Sequence, residues 1–306
     1  MGVRTTVPPS SASAVGRGIL HMLAAVFVFS VSNALVKWAA ASYPVGEITF
    51  FRNLAALLPT MALVAAHGGL ARLRTRRPRA HLSRGGLGVV SMLLIFYSFK
   101  RLPIADATAI SFAAPIFMTA LSVPLLGERV GLYRWSAVIV GFIGVLVITR
   151  PGGGVLNLGT VAAVVSAAAY ALAMIGVRRM SRTEHPVTII FYFAVIGTAA
   201  MALLLPFGWV TPDAIGAIIL VSVGLAGGIG QYFLTQAFRL APAAVAAPFN
   251  YAGIVFAGAF GYLFWDEVPG THVVIGSAVV IASGLFIIYR ETVRRGSAEP
   301  PAQEAH

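Results

Sequence analysis

The amino-acid sequence predicts an all-α membrane protein of ten transmembrane helices, arranged as two inverted five-helix repeats. Three observations carry that prediction. The 306 residues are 58% hydrophobic and only 10% charged, whereas soluble domains average about 25% charged residues. Apolar runs of about 20 residues, each long enough to cross a bilayer, fill the chain and leave no room for a separate soluble domain. The two halves also repeat one another at an offset near 140 residues.

The spans fall at 18–38, 46–66, 85–101, 105–126, 132–149, 158–178, 187–208, 213–238, 243–265 and 271–290. Pro44, Pro103, Pro151, Pro186, Pro212, Pro242 and Pro269 lie between runs or at their edges, where a residue without an N–H stops a helix. Pro59, Pro115 and Pro206 lie inside runs and are candidate hinges, although proline is tolerated in membrane helices. The eighth span is the one most open to a break, near Gly227-Gly228. The first run is rather long for the apolar part of a signal peptide, and more spans follow it, so it reads as a helix. Residues 1–16 (with Pro8, Pro9, Ser10 and Ser11) and 296–306 are expected to be disordered cytoplasmic tails. Residues 17–152 and 153–295 are the two repeats.

Charge sets the orientation. The net charge is +12, but the basic residues lie mostly between apolar runs, which favours a lipid bilayer over nucleic acid as partner. With the N-terminus inside, cytoplasmic segments hold 17 Lys and Arg residues. The other side holds four, Lys37, Lys100, Arg101 and Arg150, and Arg52 lies within a span. Positive residues are retained on the cytoplasmic side, so both termini are expected there. The longest hydrophilic loop, 67–84, carries Arg72, Arg74, Arg76, Arg77, Arg79 and Arg84.

The repeat is visible in matched residues. Pro44-Val45 recurs as Pro186-Val187, Lys37 as Arg178, Arg101-Leu102 as Arg239-Leu240, Glu128 as Glu267, and Gly144 as Gly284. Five spans per half is an odd number, so the second copy must enter the membrane from the opposite side. Inverted halves related by an in-plane pseudo-two-fold axis are the architecture of alternating-access transporters.

Arg101–Gly152 (RLPIADATAISFAAPIFMTALSVPLLGERVGLYRWSAVIVGFIGVLVITRPG) and Arg239–Glu291 resemble the drug/metabolite transporter superfamily, in particular its ten-helix EamA-type members. Lys37 and the run Phe50-Phe51-Arg52-Asn53 add to the likeness, which covers about residues 18–291. The resemblance implies secondary transport of a small metabolite across the bacterial inner membrane. It also implies a central cavity lined by spans 1, 3, 4, 6, 8 and 9. Efflux of an amino acid or related compound is the expected direction; uptake of a vitamin- or nucleoside-like compound is the alternative. The short four-helix relatives use a glutamate in their first helix for proton coupling. Here that helix carries Asn33 and Lys37 and no acid, so the mechanism does not carry over.

Polar side chains inside a membrane cost free energy and tend to face protein or a watery cavity. On that ground Asn33, Tyr97, Ser111, Tyr170, Gln231, Asn250 and Tyr251 are candidates to bind substrate. The competing reading of the hydroxyls is helix packing, which favours small and hydroxyl residues whatever the function. Lys37, Arg52, Asp106, Glu128 and Glu267 form a gating or ion-pair group. Arg52 with Asp106 is the expected extracellular gate pair, and for Glu128 and Glu267 a role as caps on the following helices is favoured over gating. Gly224 and Gly228 form a GxxxG, and Gly141, Gly144, Gly276 and Gly284 give small faces to spans 5 and 10. Close packing is the expected use, and a homodimer through them is left open.

Other functions find little support. No GxxxxGK[ST] phosphate loop, HExxH or GxSxG occurs, so no enzyme activity, cofactor or metal is expected. The absence of cysteine excludes disulfides and thiolate metal sites. A membrane scaffold without transport is the remaining rival.

Overall fold

A bilayer offers no water to satisfy backbone N–H and C=O groups, so apolar segments satisfy them internally, as helices. A computed structural model describes residues 12–66, 68–126, 131–149, 157–180, 183–241 and 246–296, and every regular element among them is helical. In chain order these are α1 (Ala12–Ala39), α2 (Val45–Ala66), α3 (Pro78–Arg101), α4 (Ile104–Ser111), α5 (Ala114–Leu126) and α6 (Leu132–Thr149). They continue with α7 (Leu158–Met180), α8 (Pro186–Ala202), α9 (Ala214–Leu240), α10 (Ala252–Trp265) and α11 (Thr271–Gly296). Short 3-10 turns cover Gly69–Leu73, Leu205–Phe207 and Ala247–Tyr251. Among the described residues, seven helical stretches of 22–26 residues are long and apolar enough to cross a membrane, and three shorter apolar helices accompany them.

The helices run up and down, so their ends gather at two poles. A basic pole holds the starts of α1, α3, α6 and α8 and the ends of α2, α5, α7, α9 and α11. The far pole holds the opposite ends, with the start of α4 and the end of α10, while the end of α4 and the starts of α5 and α10 lie between the poles. Packing pairs mirror each other between the halves. The first span packs on the eighth (α1 on α9), as the third packs on the sixth (α3 on α7), and α2–α8 and α6–α11 map onto themselves. Large apolar side chains such as Leu58, Leu132, Ile139, Ile143, Val255 and Leu263 stay exposed on the outer surface. On a bilayer-immersed bundle that is the surface lipid covers.

Glycine does its work inside this chain. At Gly228 of α9 a Cβ would run into Pro59 of α2, and at Gly224 into the Arg52 carbonyl and Ala55. At the α6–α11 crossing, a Cβ on Gly276 would lie 2.7 Å from the Gly144 carbonyl. Both small faces are therefore taken up by intramolecular helix contacts.

Several boundaries differ from the sequence expectation. α1 begins at Ala12, so residues 12–16 are helical and not part of a tail. α3 begins at Pro78, seven residues before the expected start, because proline at the first position suits a helix N-terminus. Arg79 and Arg84 therefore sit on a helix. The fourth span breaks between Ser111 and Ala114, where Pro115 lacks the N–H that Ser111 would have bonded. The ninth opens with a 3-10 turn containing Pro248. Phe112 and Tyr251, at the two breaks, are related by the same offset as Glu128 and Glu267, and their ring centroids lie 5.1 Å apart. The two irregularities thus meet each other. α9 runs unbroken through Gly227-Gly228, and the connection from α8 to α9 holds residues 203–213 because α8 stops at Ala202.

Candidate functional site

At the far pole, charged side chains join the two halves. Lys37, at the end of α1, bonds Glu267 and also donates to the Leu102 carbonyl at 3.0 Å. Its ammonium lies 5.2 Å from the centre of the Trp265 ring. The second oxygen of Glu267 accepts from the Ile104 N–H at 3.0 Å, satisfying the N-terminus of α4. Anions suit that end of a helix. Asp106, two residues on, feels both Lys37 and Glu267 electrostatically and keeps one oxygen buried without a partner. The residue before Glu267 is Asp266, the only described non-glycine residue with positive φ, at 53°. Aspartate tolerates this left-handed conformation better than most residues. A second tie lies nearby: Glu47 accepts from the Val210 N–H at 3.0 Å, and Tyr43 donates to Asp213, which caps α9, at 3.2 Å.

The basic pole is tied through backbone carbonyls and through the Glu184 carboxylate. Thr188 and Tyr192 of α8 donate to the carbonyls of Arg72 and Leu73 at 2.8 and 2.9 Å. Thr75 donates to Glu184 at 2.8 Å, and buried His81 stands 3.7 Å from the same carboxylate and 4.6 Å, ring to ring, from Tyr192.

Between the poles lie two arginines. The Cα of Arg52 is level with Gly224, whose position abuts the Phe51 and Arg52 carbonyls. Its guanidinium reaches Gly227, about one turn farther from the far pole. It therefore points toward the middle of the bundle, the reverse of snorkelling. There it meets the Met92 sulfur at 3.4 Å. Arg84 leaves α3 over the face of Phe193, with Cζ 3.9 Å from the ring centre, and its Nε and Nη1 are buried without a partner. Tyr170 of α7 interacts electrostatically with both arginines and is 49% exposed. Ser91 and Ser166, hydrogen-bonded to each other, fix α7 against α3 one turn away from it.

The expected Arg52–Asp106 pair does not form. Arg52 is turned toward the centre, and the carboxylates at the far pole belong to Lys37's neighbourhood. Glu267 does cap a helix, but α4 of the other half and not the helix that follows it. Glu128 lies outside the described residues. Of the expected substrate contacts, Tyr97 lies near the far pole under the Arg101 guanidinium, 5.5 Å from its ring centre. Ser111 spends its hydroxyl on the Thr108 carbonyl at 2.7 Å. Asn33 and Gln231 are half-buried on α1 and α9, and Asn250 is exposed in the 3-10 turn; α1 packs on both of the other elements. Tyr251 is 8% exposed, with its hydroxyl buried and unpartnered beside Gly284.

Arg84 is the residue sequence reasoning missed. Counted as one of six loop arginines, it belongs to a helical face with His81, Gly85, Gly88 and Met92, spaced by three or four and all buried but itself. Extending the glycine spacing upstream would have found it. Among the described residues no group of three or more His, Cys, Asp or Glu is placed to hold a metal ion.

Comparison with known proteins matches the chain to a family. The model of the EamA-like transporter family matches residues 16–150 and again 157–290. The pseudopaline exporter CntI of Pseudomonas aeruginosa is 33% identical over 87% of this chain and 94% of its own length. The S-adenosylmethionine uptake transporter of Rickettsia prowazekii is 30% identical, covering 90% and 93%. The riboflavin transporter of Rhizobium johnstonii is 28% identical, covering 90% and 92%. A solved crystal structure shares the fold at a TM-score of 0.63 and 20% identity, covering 92% of this chain and 99% of its own.

Proposed function

Because the chain belongs to the EamA-like transporter family, a family of small-metabolite transporters in the bacterial inner membrane, we propose that it exports an amino acid or related compound by alternating access. The observation that carries this reading is the Lys37–Glu267 tie, an ion pair between side chains that joins the two matched stretches at one pole. A bond between side chains is one that rocking of the halves can break and remake. Lys and Arg crowd the other pole, which supports a cytoplasmic position for that pole and for both termini. The tie then closes the extracellular side, with Asp106 as a second carboxylate within reach of Lys37 once Glu267 departs. Arg52, Tyr170, Asn33, Gln231 and Asn250 line the route between the poles, with Ser111 and Tyr251 at the paired helix breaks and Tyr97 near the exit. The residues of the two repeats, 17–152 and 153–295, move as the rocking units.

A second reading, uptake, is supported by relatives named for uptake of S-adenosylmethionine and for riboflavin transport. The experiment compares everted and right-side-out membrane vesicles given radiolabelled amino acids, S-adenosylmethionine or riboflavin. Accumulation confined to everted vesicles supports export, and accumulation confined to right-side-out vesicles favours uptake. Flux that persists unaltered in Lys37→Met and Glu267→Gln removes the gate.

A further inference from the structure

Two guanidinium groups without carboxylates stand between the poles of a membrane protein, Arg52 toward its centre and Arg84 about two turns into α3 from the basic pole. A cation there is expensive unless something neutralises it. The carboxylates that would do so are engaged elsewhere among the described residues. Glu47 accepts from Val210, Asp213 caps α9, Glu184 takes Thr75 beside His81, Glu267 takes Lys37, and Asp106 lies at the far pole in the field of Lys37 and Glu267. Arg52 is left with a thioether and Arg84 with an aromatic face. Neither contact neutralises charge, and Arg84 keeps two N–H-bearing nitrogens unbonded.

The two groups also stand at different depths. Met92, which receives the Arg52 guanidinium, is eight residues from Arg84 on α3, about 12 Å along the helix axis. Tyr170 interacts electrostatically with both and is half exposed. Gly227 removes any side chain from the α9 face against which Arg52 rests. An arginine fork binds a carboxylate through two parallel charge-assisted hydrogen bonds.

We propose that the transported compound is a metabolite bearing at least two carboxylates, one held by Arg52 and the other by Arg84, with the Tyr170 phenol against its middle. This deepens the transport reading above and rests on it. Charge balance is the argument: two unpaired cations take two anions, so the loaded site is neutral and the empty one is not. The loaded halves can then rock without moving bare charge through the bilayer.

The test is binding, measured by isothermal titration on the full-length protein in nanodiscs. The probes are dicarboxylates, acidic amino acids and their N-acyl derivatives, each beside its amide, with inorganic phosphate as a separate anion. Dicarboxylates are expected to bind and their amides not to. Arg52→Gln or Arg84→Gln is expected to weaken binding by about ten- to a hundredfold, as loss of charge-assisted hydrogen bonds does. Arg84→Lys, which keeps the charge and loses the fork, should fall between. Size-exclusion profiles check that each variant is folded. Binding of neutral compounds alone, of phosphate alone, or of no carboxylate at all overturns the proposal, as does carboxylate binding that survives both glutamine variants. Vesicle flux separates the two levels. Transport of a neutral or cationic compound leaves the transporter standing and removes the dicarboxylate site. Carboxylate binding without flux of any compound upholds the site and removes the transport reading.

Discussion

The far pole and the centre of the bundle both hold basic side chains away from bulk water, and they treat them in opposite ways. At the far pole Lys37 has a carboxylate, a carbonyl and an indole face, and its partner Glu267 spends its other oxygen on the Ile104 N–H. At the centre Arg52 and Arg84 have a sulfur and a ring. Removing one half of a buried ion pair leaves the other half uncompensated, whereas removing an unpaired charge takes away a liability. The difference marks the far pole as a place where charge holds the protein together. In the centre, charge weakens the empty protein and is useful only when something else arrives, the usual relation between stability and a binding site.

The largest expected effect tests the paired side of this comparison. Lys37→Met and Glu267→Gln should each lower stability by about 3–5 kcal/mol, the range for breaking a buried pair. The side chains are only 10% and 21% exposed, so screening by water is slight. The double variant should recover much of the loss, since both charges are then gone. Thermal unfolding in detergent, followed by tryptophan fluorescence, reads all three. Additive losses would mean that the two residues act separately and that the tie is incidental.

The unpaired side predicts the opposite sign. Arg52→Met and Arg84→Met should leave the melting temperature of the ligand-free protein unchanged or raise it, by up to about 2 kcal/mol of added stability. A clear drop in either variant would show that the guanidinium is structural, and the contrast with Lys37 would collapse.

A smaller effect separates two adjacent glycines of α9. Gly228→Ala drives a methyl into Pro59, an overpacking expected to cost about 1–3 kcal/mol. At Gly227 the nearest atoms to an added Cβ are those of the Arg52 guanidinium, 3.6 Å away, an ordinary contact. Gly227→Ala should therefore spare stability while crowding the arginine, and show itself as weaker carboxylate binding. Equal melting temperatures for the two variants would break the distinction between a packing glycine and a site glycine.

The spans were readable in the sequence because hydrocarbon imposes one rule on every residue of a span: apolar, about 20 long, backbone satisfied internally. The inverted repeat was readable because Pro44-Val45 and Pro186-Val187, or Glu128 and Glu267, keep their spacing. The site was readable only in part. Charge type identified Lys37, Arg52, Asp106 and Glu267 as a group, but pairing depends on rotamer and on the α10–α11 turn, which no spacing encodes. Arg52 and Asp106 looked matched in depth, yet the Arg52 side chain runs toward Gly227 and away from the pole. Arg84 was hidden by hydropathy itself, since an arginine in the first turns of a membrane helix reads as loop. The break at Phe112 was signalled by Pro115, but its meeting with Tyr251 needed the folded pair of halves.

The smallest effect concerns the turn that leads into Glu267. Asp266 has a φ of 53°, where a β-branched residue pays about 1–2 kcal/mol and glycine nothing. Asp266→Gly should change stability by less than about 1 kcal/mol. Asp266→Val should cost the backbone strain and, if the turn positions Glu267, part of the Lys37 interaction as well. The two contributions separate in the Lys37→Met/Glu267→Gln background, where there is no tie left to misplace. There the valine should cost the strain alone. An undiminished cost in that background would show that Asp266 shapes the loop without aiming the carboxylate, and that Lys37 would find Glu267 from any turn.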